Sequence, residues 1–212
     1  MLAFLFSRAK IISLIGGFLF ATGGGAWSYQ IVDRLSERVK ELSNAKSRLA
    51  EEIQKLNTIA SEYFIANQQG DLIFILAEQG NARRDLAALI YKGNVLDRAT
   101  PVRNMIGALA LAKELEYRQT YGAYEKLNEQ ARADFSFANF SKLKLVEQEI
   151  ISKGQQRVPR LLNQSFEIDK ELHALEATQK QNRLLGFLAS IFGSLLLLSA
   201  NLTTVLPAPS SK

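Results

Sequence analysis

The sequence contains no cysteine and only one histidine, His173, among 212 residues. Without cysteine the chain forms no disulfide and has no thiol chemistry. One histidine is far short of the roughly four nitrogen and sulfur ligands that a structural zinc site needs. Neither a G-x-x-x-x-G-K-[ST] phosphate loop nor a G-x-S-x-G nucleophile elbow occurs. We therefore expect a protein without a metal, a cofactor or catalytic activity.

Proline is also scarce, with four residues in the chain. Because proline interrupts helices, its scarcity predicts long helices without breaks. The formal net charge is only +5, and acidic and basic residues alternate along the chain. A nucleic-acid-binding protein usually gathers lysine and arginine on one face, so we expect no nucleic-acid partner. Mild basicity suits a protein that lies close to anionic lipid.

The longest apolar run, residues 184–206, carries no charged side chain. As a helix, a run of this length crosses about 30 Å of hydrocarbon. A buried helix of a soluble protein is the alternative, but such apolar helices seldom exceed about 14 residues. The run therefore predicts a carboxy-terminal membrane span, followed by a short tail over residues 207–212.

Residues 1–27 contain only two charged side chains, Arg8 and Lys10. The apolar part is marginal in length for a span and can be extended if these two side chains reach the headgroups. Trp27 and Tyr29 then lie where an interfacial aromatic belt is expected. A cleaved signal peptide is the alternative, but no clear A-x-A site follows. We predict an uncleaved membrane anchor.

Both predicted spans carry small residues at helical spacing. Such small residues allow another helix to approach closely. The predicted packing positions are Gly17, Ala21 and Gly25 in the first span and Gly186, Ser190 and Gly193 in the second.

The direction of insertion depends on the basic residues that flank the spans. Arg8 and Lys10 favour a cytoplasmic amino terminus, whereas Arg34, Arg38 and Lys40 favour the opposite orientation. Long domains are translocated largely regardless of charge, so we give the short amino-terminal tail more weight. We predict a bacterial inner-membrane protein with both termini in the cytoplasm and the helical domain outside it.

Residues 28–183 are predicted to form one helical domain between the spans. Apolar residues recur in alternating steps of four and three, a pattern typical of coiled-coil-like stalk helices: Leu35, Val39, Leu42, Leu49, Ile53, Leu56, Ala60 and Tyr63. Glycine and capping residues then predict the helix ends. The predicted breaks lie at Gly70-Asp71, Gly93-Asn94, Thr100-Pro101, after Ala133 and at Gly154, with a kink at Gly122 and Pro159 in the first turn of the last helix.

The fold expected from these patterns is all-α, with two transmembrane helices flanking an elongated antiparallel helical bundle. The order of span, helical bundle and span resembles the sensing half of bacterial chemoreceptors. The resemblance is architectural and implies a ligand-sensing role. Since no output domain follows Leu206 in this sequence, a sensor of this kind would act through a partner.

Several polar and aromatic residues are candidates for function. Arg83, Arg84, Arg98 and Arg103 could contact a carboxylate or phosphate ligand. Tyr117, Tyr121, Tyr124, Phe135, Phe137 and Phe140 are a candidate partner surface if they are exposed, and core residues otherwise. The acidic pairs Glu51-Glu52 and Glu147/Glu149 are interpreted as solvated helix faces.

These features favour an interaction protein, an accessory or scaffold subunit of a membrane complex. Its expected partners are the lipid bilayer and other membrane-protein subunits or further copies of itself. A ligand-sensing module is the first alternative. The second is an oligomeric pore lined by Asn201, Thr203 and Thr204, although no ring of charged residues supports a pore.

Overall fold

The computed structural model describes the backbone of residues 11–77, 81–134 and 136–205. Within these ranges, the side chains of residues 74–77, 81–84 and 200–205 are not described. All regular structure in the described part is helical, which confirms the all-α prediction. A helical segment over residues 11–18 and a π-helical turn, Leu19–Gly23, lead directly into the first long helix.

Four long helices follow in chain order: α1 is Gly24–Ala77, α2 is Asn81–Leu111, α3 is Tyr117–Ala133 and α4 is Phe137–Val205. Two helices each contain an apolar stretch long enough to cross a membrane. One begins near the amino terminus and includes α1, and the other is α4. Few residues of these stretches are buried within the chain, which distinguishes them from the core helix of a soluble protein.

The chain divides into two compact units. The span unit contains Met1–Lys46 and Glu167–Lys212, and the helical unit is Ser47–Phe166. The predicted domain limits at residues 28 and 183 lie further toward the spans. Residues 28–46 and 167–183 make their contacts with each other and with the spans, so they group with the span unit.

The described part of the span unit is an antiparallel helix pair. Partly or fully buried residues recur every three or four positions along both helices, including Leu35, Val39 and Leu42. Across the pair, the Ser28 hydroxyl donates to the Asn182 carbonyl at 3.3 Å. Ion pairs join Arg38 to Glu171 and Lys46 to Asp169 further along the two helices.

The helical unit packs the end of α1, all of α2 and α3, and the start of α4 around one apolar core. Its largest fully buried apolar side chains come from all four helices: Leu56, Tyr63, Tyr91, Met105, Ile106, Leu109, Tyr124, Leu143 and Ile151. They follow helical spacing on each element, as expected for helices that bury one face.

Three of the predicted breaks, Gly70-Asp71, Gly93-Asn94 and Thr100-Pro101, are wrong because the helices continue through them. A Cβ at Gly70 would lie 2.7 Å from Asn94 Oδ1, so this glycine permits close helix packing rather than a cap. Asp71 pairs with Lys144 at 2.6 Å. Asn94 is buried and donates to the Ala66 carbonyl at 2.7 Å, which ties α2 to α1.

The predicted break at Gly154, the helix start at Pro159 and the kink at Gly122 are also not observed. Gly154 and Pro159 lie inside α4, and Gly122 lies inside α3. A Cβ at Gly154 would collide with Met105 Sδ, so close contact between α4 and α2 explains this glycine. Burial of an apolar face outweighs the weak helix propensity of single glycines, which costs about 1 kcal/mol each.

The turn after α2 was missed, because no helix end was predicted between Thr100-Pro101 and Ala133. Lys113 adopts a left-handed conformation with φ of 60°, and the chain turns before α3. Arg157 of α4 fixes this turn by contacting Glu114 at 2.6 Å and Glu52 at 2.7 Å. These two carboxylates raise the pKa of Arg157. The break predicted between Ala133 and Phe137 is confirmed.

Candidate functional site

The core of the helical unit contains a buried pair of opposite charges, Arg98 of α2 and Glu147 of α4. Both side chains are 0% exposed, and Arg98 Nε lies 3.4 Å from Glu147 Oε2. The Arg98 guanidinium also lies over the ring of Phe140, 4.6 Å from its centroid. Its Nη1 and Nη2 atoms have no hydrogen-bond acceptor among the described residues. Aromatic and single-carboxylate contacts therefore replace the hydration shell that this cation has in water.

Hydroxyl and amide groups from the other helices surround the carboxylate. The Tyr124 hydroxyl donates to Glu147 Oε1 at 3.4 Å and accepts from Asn128 Nδ2 at 3.3 Å. The Tyr63 hydroxyl faces the same carboxylate and influences its ionisation, but it does not reach hydrogen-bond geometry. Each of the four helices thus contributes a polar group to this buried polar cluster, which we define as Tyr63, Arg98, Tyr124, Asn128 and Glu147.

Burial controls the ionisation of the cluster. Removal from water raises the pKa of Glu147 to about 7, against the opposing effects of Arg98 and of the two tyrosine hydroxyls. Burial also raises the pKa of Tyr124 and of Tyr63 above the ordinary tyrosine value. Burial thus favours the neutral form of Glu147, whereas the neighbouring Arg98 favours its charged form.

The buried polar cluster is closed to solvent, since all five residues are 0% exposed. A substrate has no access to it. Burying a polar group in a core is unfavourable in free energy unless the group meets a particular partner. The contacts of the cluster therefore favour one alignment of the four helices.

Four arginines were predicted to form an anion site. The two whose side chains the structure describes, Arg98 and Arg103, do not form one. Arg98 lies in the buried polar cluster, while Arg103 makes a two-point contact with Glu125 at 2.6 and 2.8 Å. This contact raises the pKa of Arg103 and lowers that of Glu125. Arg83 and Arg84 lie in α2, but their side chains are outside the described residues.

The predicted aromatic surface separates into core and surface residues. Tyr124 and Phe140 are buried in the core. Tyr121 packs partly against it and stacks on the exposed Tyr117, with 5.3 Å between ring centroids. Phe137 is exposed, and Phe135 lies outside the described residues. The six aromatic residues therefore do not form one partner surface.

The predicted small residues of the spans meet each other within the chain. A Cβ at Gly17 would lie 2.9 Å from Leu197 Cγ and 3.0 Å from the Gly193 carbonyl oxygen. A Cβ at Gly193 would collide with the Ala21 backbone, and one at Gly186 with the Ser28 side chain. Gly25 faces Ser190. The small faces are thus occupied by the other span of the same chain, and the large apolar side chains point outward.

The helical unit has an uncovered apolar surface on α1 and α2. Leu72 of α1, for example, is 59% exposed. Other large apolar side chains of these two helices are exposed as well, and we name the whole set the apolar surface: Phe64, Ile65, Leu72, Leu86, Leu89, Ile90 and Leu96. Two members of this set, Leu72 and Ile90, line an open groove of about 460 Å³ between the two helices.

Sequence reasoning missed Glu147, which was interpreted as part of a solvated face. Its spacing carried a signal: Phe140, Leu143, Glu147, Ile150 and Gly154 lie on one helical face, and all are buried. A charged residue in register with an apolar stripe indicates a buried charge. Arg98 follows the same rule on α2, between Val95 and Val102.

No group of three or more metal-binding side chains occurs among the described residues. His173 is 82% exposed and lies 3.9 Å from Glu176, as expected for a surface histidine.

In comparisons with known proteins, no protein-family model, curated protein or solved structure matches this chain.

Proposed function

We propose that the protein is a membrane-anchored interaction protein, an accessory or scaffold subunit of a membrane complex that performs no catalysis. The observation that carries this proposal is the apolar surface of the helical unit. Soluble surfaces seldom expose several large apolar side chains together unless they bind a partner. The helices of the span unit supply the membrane anchor, since both are long and apolar enough to cross a bilayer.

The spans support this proposal in a second way. Their small faces pack against each other, so the hydrophobic faces that remain consist of large side chains such as Phe18, Phe187 and Leu195. These side chains suit contact with lipid tails. We propose that recognition is concentrated in the helical unit, and that this unit lies outside the cytoplasm of a bacterial cell.

The test is purification of the tagged full chain from its native membranes in a mild detergent, followed by measurement of the native mass. We expect a complex heavier than one chain. Leu72→Ser should reduce the amount of partner recovered, because it removes an exposed side chain of the groove. Leu145→Ser is the matched control, since Leu145 is 67% exposed on α4 but lies outside the apolar surface.

A strictly monomeric protein without any partner would contradict the proposal. So would an equal loss of partner in both variants, which would indicate a general effect of lost hydrophobicity. The other two hypotheses have less support. The arginines of the sensing hypothesis with described side chains are matched by carboxylates of the chain. The side chains of the pore hypothesis are outside the described residues.

A further inference from the structure

We propose that one partner of this protein is a second copy of itself, bound through a parallel pairing of the two α2 helices. The inference rests on the proposed function and specifies one occupant for part of the apolar surface. It derives from the spacing of exposed residues on α2 and from the charges that flank them.

The outer face of α2 carries its own regular stripe. Leu86, Leu89, Gly93, Leu96 and Thr100 follow one another in steps of three, four, three and four, and all five are exposed. We name this set the α2 stripe. Alternating steps of three and four are the spacing by which two helices supercoil around each other, with a and d positions at the seam. The α2 stripe covers about two heptads on this pattern.

The stripe lies on the side of α2 that faces away from the core. Residues on the opposite side of α2, including Tyr91, Val95 and Arg98, are buried in the helical unit. One helix thus carries two apolar faces, of which only one is covered within the described part of the chain. A second copy could cover the outer face without disturbing the buried polar cluster, and α2 needs no further folding to bind it.

Charges on either side of the stripe favour a copy of the same helix as occupant. With Leu86 at an a position, Lys92 occupies a g position and Asp97 the following e position. In a parallel pair, a g residue faces the e residue of the other helix five positions further on. Lys92 of each copy would therefore face Asp97 of the other. Both side chains are exposed, and neither forms an ion pair with another described side chain.

The backbone at Gly93 also suits such a pairing. Glycine inside a helix is unfavourable by about 1 kcal/mol relative to alanine. No atom within the described structure lies near the position of a Cβ at Gly93, so packing inside one chain does not require glycine there. In the seam of a helix pair, its small size would allow the two α2 helices to approach closely.

A single cysteine reports the pairing directly, because the chain contains none of its own. Leu89→Cys places a thiol at a d position in the full-length protein, in native membranes. Under mild oxidation we expect a disulfide-linked dimer, because equivalent d positions meet only in a parallel pair in register and a disulfide needs Cα atoms within about 7 Å. Glu129→Cys on the exposed face of α3 is the control and should stay monomeric.

Charge reversal tests the specificity of the pairing in the Leu89→Cys background. Lys92→Asp should lower the dimer yield about fivefold, because it places two carboxylates opposite each other twice per dimer. Adding Asp97→Lys should restore the yield, because each copy again presents opposite charges. Both residues are on the surface, so neither change affects the core.

Absence of the disulfide would overturn the inference. So would a dimer yield that is unchanged by Lys92→Asp, or a yield that is not restored when Asp97→Lys is added. A native complex that contains a different protein but gives no Leu89→Cys disulfide would reject self-pairing and leave the proposed function standing. A monomer without any partner would reject both.

Discussion

Glu147 and Glu149 lie two residues apart on the same helix and have opposite environments. Glu147 is buried beside Arg98, whereas Glu149 is exposed and pairs with Lys153 at 2.8 Å. The pKa of Glu147 is raised to about 7 by burial, while the hydrogen bond from Lys153 lowers the pKa of Glu149. The pKa values of two identical side chains are thus shifted in opposite directions because a helix turns by about 100° per residue.

The first prediction concerns the pH dependence of stability. The pKa of Glu147 is about 7 in the folded protein, above the value of 4.5 that serves as its unfolded reference. The folded state therefore binds more protons between these values, so its stability falls as pH rises from about 4.5 to about 7 and changes little above that. Between pH 5 and pH 8 we expect Glu147 to lower the free energy of unfolding by roughly 2 to 3 kcal/mol.

Glu147→Gln should remove this part of the pH dependence, since the amide does not ionise. The measurement is the thermal unfolding midpoint of the full-length protein in detergent at pH 5 and pH 8. Glu149→Gln is the matched control and should keep the pH dependence of the original protein. A Glu147→Gln variant with an unchanged difference between the two pH values would show that this carboxyl group is not responsible.

At the scale of elements, packing rather than capping determines where the helices end. α1 continues past Gly70, and α4 continues past Gly154 and Pro159. Both glycines lie where a neighbouring helix approaches closely, and both are buried. Glycine often ends a helix, but these two glycines lie inside helices because the neighbouring helix packs too closely for a larger side chain.

The second prediction concerns the packing of the two span helices. Gly16 and Gly17 are neighbours, yet a side chain at Gly17 would meet Leu197 and Gly193, while nothing lies near a side chain at Gly16. We expect Gly17→Leu to destabilise the helix pair by about 1–3 kcal/mol through overpacking. Gly16→Leu should change stability by less than about 0.5 kcal/mol.

The measurement is the thermal unfolding midpoint of each variant in the same detergent, with unfolding monitored by circular dichroism. Because the two substitutions add the same side chain to adjacent positions, a difference between them reflects the helix contact alone. Equal midpoints would refute the close packing at Gly17.

For the whole molecule, two helices long and apolar enough to cross a membrane flank the helical unit in the sequence, and the proposed anchoring by both would place the two termini on one side of a membrane. Two spans return the chain to the side from which it entered. The side on which Ser47–Phe166 lies decides which partners it meets, and the basic residues near the spans point in both directions. This orientation is therefore open to direct measurement.

The third prediction is that the helical unit lies outside the cytoplasm. Glu129→Cys places the only thiol of the chain on an exposed face of α3. In intact cells, a membrane-impermeant maleimide should label it fully. Asn94, where the sequence predicted a helix break, is buried and unsuitable as a labelling position. Labelling of Glu129→Cys only after the cells are permeabilised would place the helical unit in the cytoplasm.

The sequence by itself determined the features that depend on local spacing and composition. The all-α class, the two long apolar helices and the break before Phe137 follow from hydrophobic periodicity, proline scarcity and uncharged runs. Each of these signals involves residues that are near one another in the chain, and the transfer of apolar side chains from water favours the same outcome in any packing.

Only the tertiary structure decided the environment of individual polar and glycine residues. Arg98 and Glu147 are distant in sequence, and their burial depends on Phe140, Tyr124 and Tyr63 meeting around them. Gly70 and Gly154 resemble helix ends until the neighbouring helix is in place. The physical reason is that burying a charge or continuing a helix through glycine is unfavourable locally, and contacts with other helices supply the compensating free energy.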